Sequence, residues 1–257
     1  MILVIDIGNS TCKFGLFDKN EIVAVWKAVT RDQKTSDEYA ILIRSWFEQN
    51  KFNPADVKGV VLSSVVPNLT HSFVSTISKT FQLTPLILKA GVKTGIAIQV
   101  DDPREVGADR IADVAAGFYL YGGPCLVMNF GTATTFDLVN ADGLFHAAVT
   151  SPGIQISADA LWSRTAMLPH VEIACPPSIL AKNTVHSMQA GLIYGYVGQV
   201  EYITRKMKEE ARCPEAKVIA TGGYAQVIHS KTDVIDVYDP LLTLKGLKFI
   251  WDKNNGR

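Results

Sequence analysis

The residues of this chain whose types and spacing can do chemistry sit mostly in two short strings. Asp6-Ile7-Gly8-Asn9-Ser10-Thr11 closes the apolar run Ile2-Leu3-Val4-Ile5. Asn129-Phe130-Gly131-Thr132-Ala133-Thr134-Thr135 closes the run Leu126-Val127-Met128. A strand that ends in a tight Gly-Ser/Thr turn presents backbone N–H groups and hydroxyls, which match phosphate oxygens. Two such loops facing each other can hold a nucleoside triphosphate between two domains. Asp6, ahead of Gly8-Asn9-Ser10-Thr11, can orient a hydrated magnesium ion while the backbone meets phosphate. Lys13, two residues past Thr11, can meet a phosphate oxygen. An ordinary Asp-Gly-Asn turn accounts for the first string alone, and threonines at 132, 134 and 135 also fit a plain β-strand. Their echo moves the reading to phosphate contact. One difference between the copies matters, a carboxylate at Asp6 and an amide at Asn129.

Two further strings belong with them. Thr221-Gly222-Gly223 also follows a strand, and paired glycines let a backbone approach a flat ligand such as adenine or ribose. Glu105-Val106-Gly107-Ala108-Asp109-Arg110 places Asp109 and Arg110 at the expected start of a helix. Asp109 there is either a helix-end carboxylate or a general base beside a cation that positions an anionic substrate. No Gly-x-x-x-x-Gly-Lys or Gly-x-Gly-x-x-Gly string occurs, so neither a P-loop nor a dinucleotide fold is indicated. Ser63 and Ser64 lack a nucleophile-elbow pattern, which leaves hydrolase chemistry without support.

Composition narrows the setting. At 257 residues the chain can form one large domain or two small ones. Lys+Arg 25 against Asp+Glu 25 gives no electrostatic case for nucleic acid or an anionic membrane surface. Cys12, Cys125, Cys175 and Cys213 are scattered, against a zinc site or a disulfide framework and in keeping with a reducing cytosol. No apolar run approaches the roughly 18 residues of a membrane span. A cytoplasmic protein with no targeting segment is expected.

The elements that must position these residues follow from periodicity and turn chemistry. Strands are expected over 2–7, 11–17, 21–26 and 57–66, with a short one at 86–88. Helices are expected around Tyr39–Phe47, behind a cap at Ser36, and around Leu69–Phe81. A loop spans about Lys89 to Gly107, and a helix begins near Ala108. The pattern then restarts: strands at 125–130, 135–139 and 144–149, helices over 154–165 and 184–211. A strand at 218–220, another at 234–237 and a last helix over 241–251 complete it. Strand–hairpin–helix–strand order occurring twice predicts duplicated α/β domains, 1–121 and 122–257, with mixed sheets and a cleft between them.

In order along the chain stand the Asp6 loop, Glu105–Arg110, Gly-Thr-Ala-Thr-Thr at 131–135, Lys182-Asn183-Thr184, Thr221-Gly222-Gly223 and Leu242-Thr243-Leu244-Lys245-Gly246-Leu247. Together these resemble the type III pantothenate kinases over essentially the whole chain. The resemblance implies two ribonuclease-H-like domains of the actin-like ATPase superfamily. It implies ATP-dependent phosphorylation of pantothenate with Mg2+, and a homodimer with the substrate pocket near the subunit interface. It assigns Asp6, Gly8, Asn9, Ser10, Thr11, Lys13, Gly131, Thr132, Gly222 and Gly223 to ATP. It assigns Gly107, Ala108, Asp109, Arg110, Thr184 and position 100 to pantothenate, with Asp109 the proton acceptor.

Three departures bear on this resemblance. Asn129 stands where the family has an aspartate that binds a monovalent cation, K+ or NH4+, so that site is expected to be weakened or absent. Val100 replaces a tyrosine of the pantothenate pocket, and one substrate contact is expected to be missing. Ala147-Ala148 replaces Gly-Gly ahead of Pro152-Gly153, where added methyl groups are expected to crowd a tight backbone approach. The alternatives these raise are a catalytically silent binding or regulatory homologue, and a kinase for another small hydroxylated acid.

Overall fold

The computed structural model describes residues 1–30 and 34–256. The chain divides into two compact units, the first made of Met1–Gly95, Asp101–Ala116 and the segment from Leu242 onward, the second of Ile96–Val100 and Gly117–Leu241.

The first unit is built on a five-stranded mixed sheet. Its strands are β1 (Ile2–Ile7), β2 (Thr11–Asp18), β3 (Glu21–Val29), β4 (Gly59–Ser64) and β5 (Leu86–Ile87), in the order β3-β2-β1-β4-β5. β1 is antiparallel to β2 and parallel to β4. Every residue of β1 is buried, as expected for a central strand covered on both faces. Leu3, Ile5 and Ile7 face α1 (Ser36–Gln49) and α2 (Pro67–Phe81), which contribute Tyr39, Ile43, Phe47, Leu69, Phe73 and Ile77 to one core. α1 starts with a capping box, Thr35 with Glu38, one residue ahead of the expected cap at Ser36. A side-chain oxygen at that position satisfies an otherwise orphaned N–H and is worth about 1 kcal/mol.

The opposite face of this sheet carries Val4 and Asp6. It is covered by α7 (Leu242–Asn254), which packs on β1, β2 and β4. Gly59 leaves room for the Trp251 ring, and Gly246 lets α7 approach the backbone of Ala112 in α3 (Ala108–Tyr121). The sequence reading put residues 122–257 in one domain. Instead α7 packs within the first unit, because a two-sided central strand needs a second apolar cover. The split falls inside α3, after Ala116, rather than at the Tyr121–Pro124 turn.

The second unit repeats the order and adds an edge strand. β7 (Cys125–Phe130), β8 (Ala133–Val139), β9 (Leu144–Pro152), β10 (Lys217–Gly222) and β11 (Val237–Tyr238) join β6 (Ala97–Ile98) in the order β11-β10-β7-β8-β9-β6. β7 is antiparallel to β8 and parallel to β10, as β1 is to β2 and β4. Leu126, Met128 and Phe130 face α4 (Ile154–Ser163), α5 (Thr184–Glu210) and α6 (Ala225–His229) through one core. β6 lies inside the stretch read from sequence as loop, because two residues that pair only at a sheet edge leave no periodic signal.

Candidate active site

In the first unit, register rather than sequence proximity assembles the chemistry. Asp6 on β1 lies opposite Lys13 on β2 and beside Ser63 on β4, so the three side chains form one row across the sheet. Asp6 is only 6% exposed. Its Oδ1 accepts a hydrogen bond from Ser63 Oγ at 2.7 Å. Burial raises its pKa from 3.8 to about 6, against the opposing pull of Lys13, while the Asp109 charge adds to the rise and the Ser63 hydrogen bond lowers it. Asp6 and Asp109 therefore share one electrostatic neighbourhood.

The turn between β1 and β2 is braced from behind. Gly8 N–H donates to Thr11 O at 3.2 Å, and Ser10 O accepts from Thr30 N at 3.0 Å. Thr30 Oγ1 donates to Gly8 O at 2.7 Å. The loop is fixed while Asn9 and Ser10 stay exposed. Asp109 sits in the first turn of α3, where its Oδ1 accepts the Arg110 N–H at 2.9 Å. Gly107 makes room for it, since a Cβ at 107 would lie 2.5 Å from that oxygen.

The second unit carries the matching row. Asn129 on β7 lies opposite Thr135 on β8 and beside Thr221 on β10. Thr221 is fully buried and Thr135 is 8% exposed. Neither hydroxyl has a hydrogen-bond partner among the described residues. The loop after β7 folds on itself through Gly131 N–H to Ala133 O, 3.1 Å, and Gly153 N–H donates to Thr132 O at 3.1 Å. A Cβ at Gly153 would run into the carbonyls of Gly131 and Thr132, so glycine is required there. Gly222 takes a φ of +101° against the backbone of Phe130, again a place for glycine. Gly223 has open space beside its Cα.

The remaining expected residues are placed as follows. Gly107, Ala108, Asp109 and Arg110 lie together in the first unit, whereas Val100 packs with the second. Thr184 is exposed at the first turn of α5, and Asn183 before it caps that helix by accepting the His186 N–H at 2.8 Å. Ala147 and Ala148 lie in β9 opposite Leu138 and Asp137, beside a register shift between Leu138 and Val139, and Ala148 is exposed.

The donor atoms fit a magnesium ion. Asp6 is a hard oxygen donor whose charge is under-compensated, and its Oδ2 accepts no hydrogen bond from another described residue. The Asn129 row offers a monovalent cation neutral oxygens only, from an amide and two hydroxyls. Asp137, buried on the same face of β8, is opposite Val127, two residues deeper in the sheet. Among the described residues no group of three or more His, Cys, Asp or Glu is placed to hold a metal ion.

Sequence reasoning gave no site role to the hydroxyls of Ser63, Thr221 and Thr30. The signal that finds the first two is a hydroxyl at the end of the strand parallel to each loop-bearing strand, Leu62-Ser63 and Ala220-Thr221.

Two mixed sheets of the same strand order, each with a polar row at the mouth of its central strand, define the class: an α/β protein of the actin-like ATPase and kinase fold. Solved structures similar over nearly the whole chain support it. One is a 2-dehydro-3-deoxygalactonokinase, so named provisionally, from Sinorhizobium meliloti, with TM-score 0.58, 10% identity, and 98% of this chain and 96% of that one covered. Another is (R)-2-hydroxyglutaryl-CoA dehydratase component A from Acidaminococcus fermentans, with TM-score 0.55, 12% identity, and 96% and 94% covered. The family model for type III pantothenate kinase matches residues 2–206. A type III pantothenate kinase of Agathobacter rectalis is 48% identical over 255 residues, 99% of this chain and 98% of that protein. The chain belongs to the type III pantothenate kinase family.

Proposed function

We propose that this protein transfers the γ-phosphoryl group of ATP to the hydroxyl of pantothenate, giving 4'-phosphopantothenate for coenzyme A synthesis. Family membership supports the activity, and the observation that carries the mechanism is the row Lys13–Asp6–Ser63 with Asp109 in electrostatic reach.

Phosphoryl transfer needs an aligned acceptor, charge neutralisation and little covalent help. Asp109, held by the Arg110 N–H, takes the proton of the attacking hydroxyl through its carboxylate. Arg110, Gly107 and Ala108 form the acceptor side, with the arginine drawing the pantothenate carboxylate. Lys13 and the braced amides of Gly8, Asn9, Ser10 and Thr11 receive phosphate. Asp6 would hold Mg2+, which would supply neutralisation of the phosphate charge. Gly131, Thr132, Gly222 and Gly223 contact the nucleotide, and Thr184 contacts pantothenate; Val100 offers an aliphatic contact only. Replacing Asp109 by Asn lowers kcat by about 10²–10⁴-fold in an ADP-release assay while ATP affinity stays within about twofold. Near-normal turnover in that variant refutes the assignment of the base.

Asn129 gives K+ or NH4+ only neutral oxygens, so we expect turnover without either ion. A silent homologue is the second reading, carried by the unpartnered Thr221 hydroxyl beside Asn129. The assembled Asp6, Lys13, Ser63 and Asp109 favour the active enzyme.

A homodimer is proposed on apolar exposure in the second unit. Trp162 is 51%, Met167 90% and Leu180 80% exposed, near a groove of about 530 Å3 lined by Leu161, Leu168, Leu192 and Tyr196. Among the described residues no helix is long and apolar enough to cross a membrane. The cysteines of the described residues are free, and the enzyme is assigned to the cytoplasm.

A further inference from the structure

We infer that Ser63 is a positioning residue for phosphoryl transfer: its hydroxyl fixes the Asp6 carboxylate by Oδ1 and so reserves Oδ2 for the hydrated magnesium ion. The inference rests on the kinase reading above.

Three observations carry it. The first is the hydrogen bond itself, Ser63 Oγ to Asp6 Oδ1 at 2.7 Å, with Ser63 fully buried and Asp6 nearly so. Its backbone is fixed by the parallel pairing of β1 with β4, and just beyond it Val65 N–H donates to Ile7 O at 3.1 Å. The neighbouring Ser64 is engaged elsewhere. It accepts from Thr70 Oγ1 at 2.8 Å and from Val66 N–H at 3.1 Å. Among the described residues, Ser63 is the side chain that donates to the carboxylate.

The second is the geometry on the other side of Asp6. Lys13 is directly across the hairpin and lowers the Asp6 pKa through its charge, yet no ion pair joins them among the described residues. A carboxylate free to rotate on its χ2 would turn toward that ammonium group. Anchoring Oδ1 on the far side, at Ser63, keeps Asp6 for metal and Lys13 for phosphate.

The third is the natural control in the second sheet. Thr221 takes the place of Ser63, and Asn129 the place of Asp6, by the same register. There the hydroxyl is buried with no hydrogen-bond partner among the described residues. That sheet keeps the same strand order without the hydroxyl bond. The bond in the first unit therefore serves the carboxylate rather than the strand pairing.

The test measures ATP binding by calorimetry, with Mg2+ and with EDTA, for wild type, Ser63→Ala, Ser63→Thr and Ser63→Cys, alongside thermal unfolding. Ser63→Ala is expected to lose about tenfold in ATP affinity with Mg2+ and less than about twofold with EDTA. Its half-maximal Mg2+ concentration for turnover rises by about the same tenfold factor, with kcat at saturating Mg2+ less affected. Ser63→Thr, which keeps the hydroxyl, restores Mg2+ dependence to within about threefold, and Ser63→Cys, a weak donor, falls between. Wild-type Mg2+ dependence in Ser63→Ala overturns the inference, as does an equal loss with Mg2+ and with EDTA. Wild-type protein that binds no ATP with Mg2+ overturns the kinase reading and this inference with it.

Discussion

Thr221 lies beside Asn129 on the neighbouring parallel strand, and its buried hydroxyl has no hydrogen-bond partner among the described residues, whereas Ser63 in the equivalent place donates to Asp6. A buried hydroxyl without a partner costs about 1–3 kcal/mol. The second row thus holds a buried hydroxyl beside an amide, where the first row holds one bonded to a carboxylate. Asn129→Asp replaces the neutral amide oxygen beside Thr221 by a charged, stronger acceptor and gives K+ a charged oxygen. That variant is expected to bind K+ on the order of tenfold more tightly than wild type and to become stimulated by it. Turnover in KCl against choline chloride checks this. A wild-type enzyme that already needs K+ contradicts it.

The buried charge of Asp6 predicts a pH dependence of opposite sign to that of most carboxylates. Its folded pKa is raised from 3.8 to about 6, so the folded state favours the protonated form. The stability it contributes is complete below its unfolded pKa and is lost as pH rises through about 6. The loss at neutral pH is about 3 kcal/mol at most. Asp6→Asn should therefore stabilise the ligand-free protein more at pH 7.5 than at pH 4.5. Urea unfolding at the two pH values measures the difference, and an equal effect at both contradicts the account.

Gly107 controls the proton acceptor. A Cβ at this position meets Asp109 Oδ1 at 2.5 Å, so Gly107→Ala pushes the carboxylate off the Arg110 N–H. Displacements on the order of 1 Å at a reacting group cost about 10²-fold. The expected result is a fall in kcat of that order with little change in melting temperature. An unchanged kcat shows that Asp109 does not depend on this vacancy.

Much of this was legible in the sequence because apolar runs punctuated by Gly-Thr turns are local signals. Ile2–Ile7 and Leu126–Phe130 declared themselves as buried strands, and the Asp6 and Asn129 loops followed from them. What stayed hidden depends on pairing between distant segments. Ser63 acquires its partner only when β4 aligns with β1, 57 residues apart. α7 reads as the end of a second domain until the open face of the first sheet is seen to need it. β6 is two residues long and gains its identity from β9 alone. The strand that carries Ala147-Ala148 was legible, but not its partners, Leu138 and Asp137 on β8.

The exposed apolar residues of the second unit predict association. Leu180→Asp, at a site 80% exposed, removes apolar area without touching a core. Light scattering is expected to show a dimer for wild type and a shift toward monomer for the variant. A wild-type monomer at micromolar concentration contradicts the dimer.

The central claim is tested most directly by measuring ADP and 4'-phosphopantothenate together, from wild-type protein, ATP, Mg2+ and pantothenate, with and without K+ or NH4+. The account predicts one phosphorylated product per ADP, formed in the absence of either monovalent cation and lost with Asp109→Asn. Tight ATP binding with no product in any salt would contradict it and mark the chain as a silent member of its family.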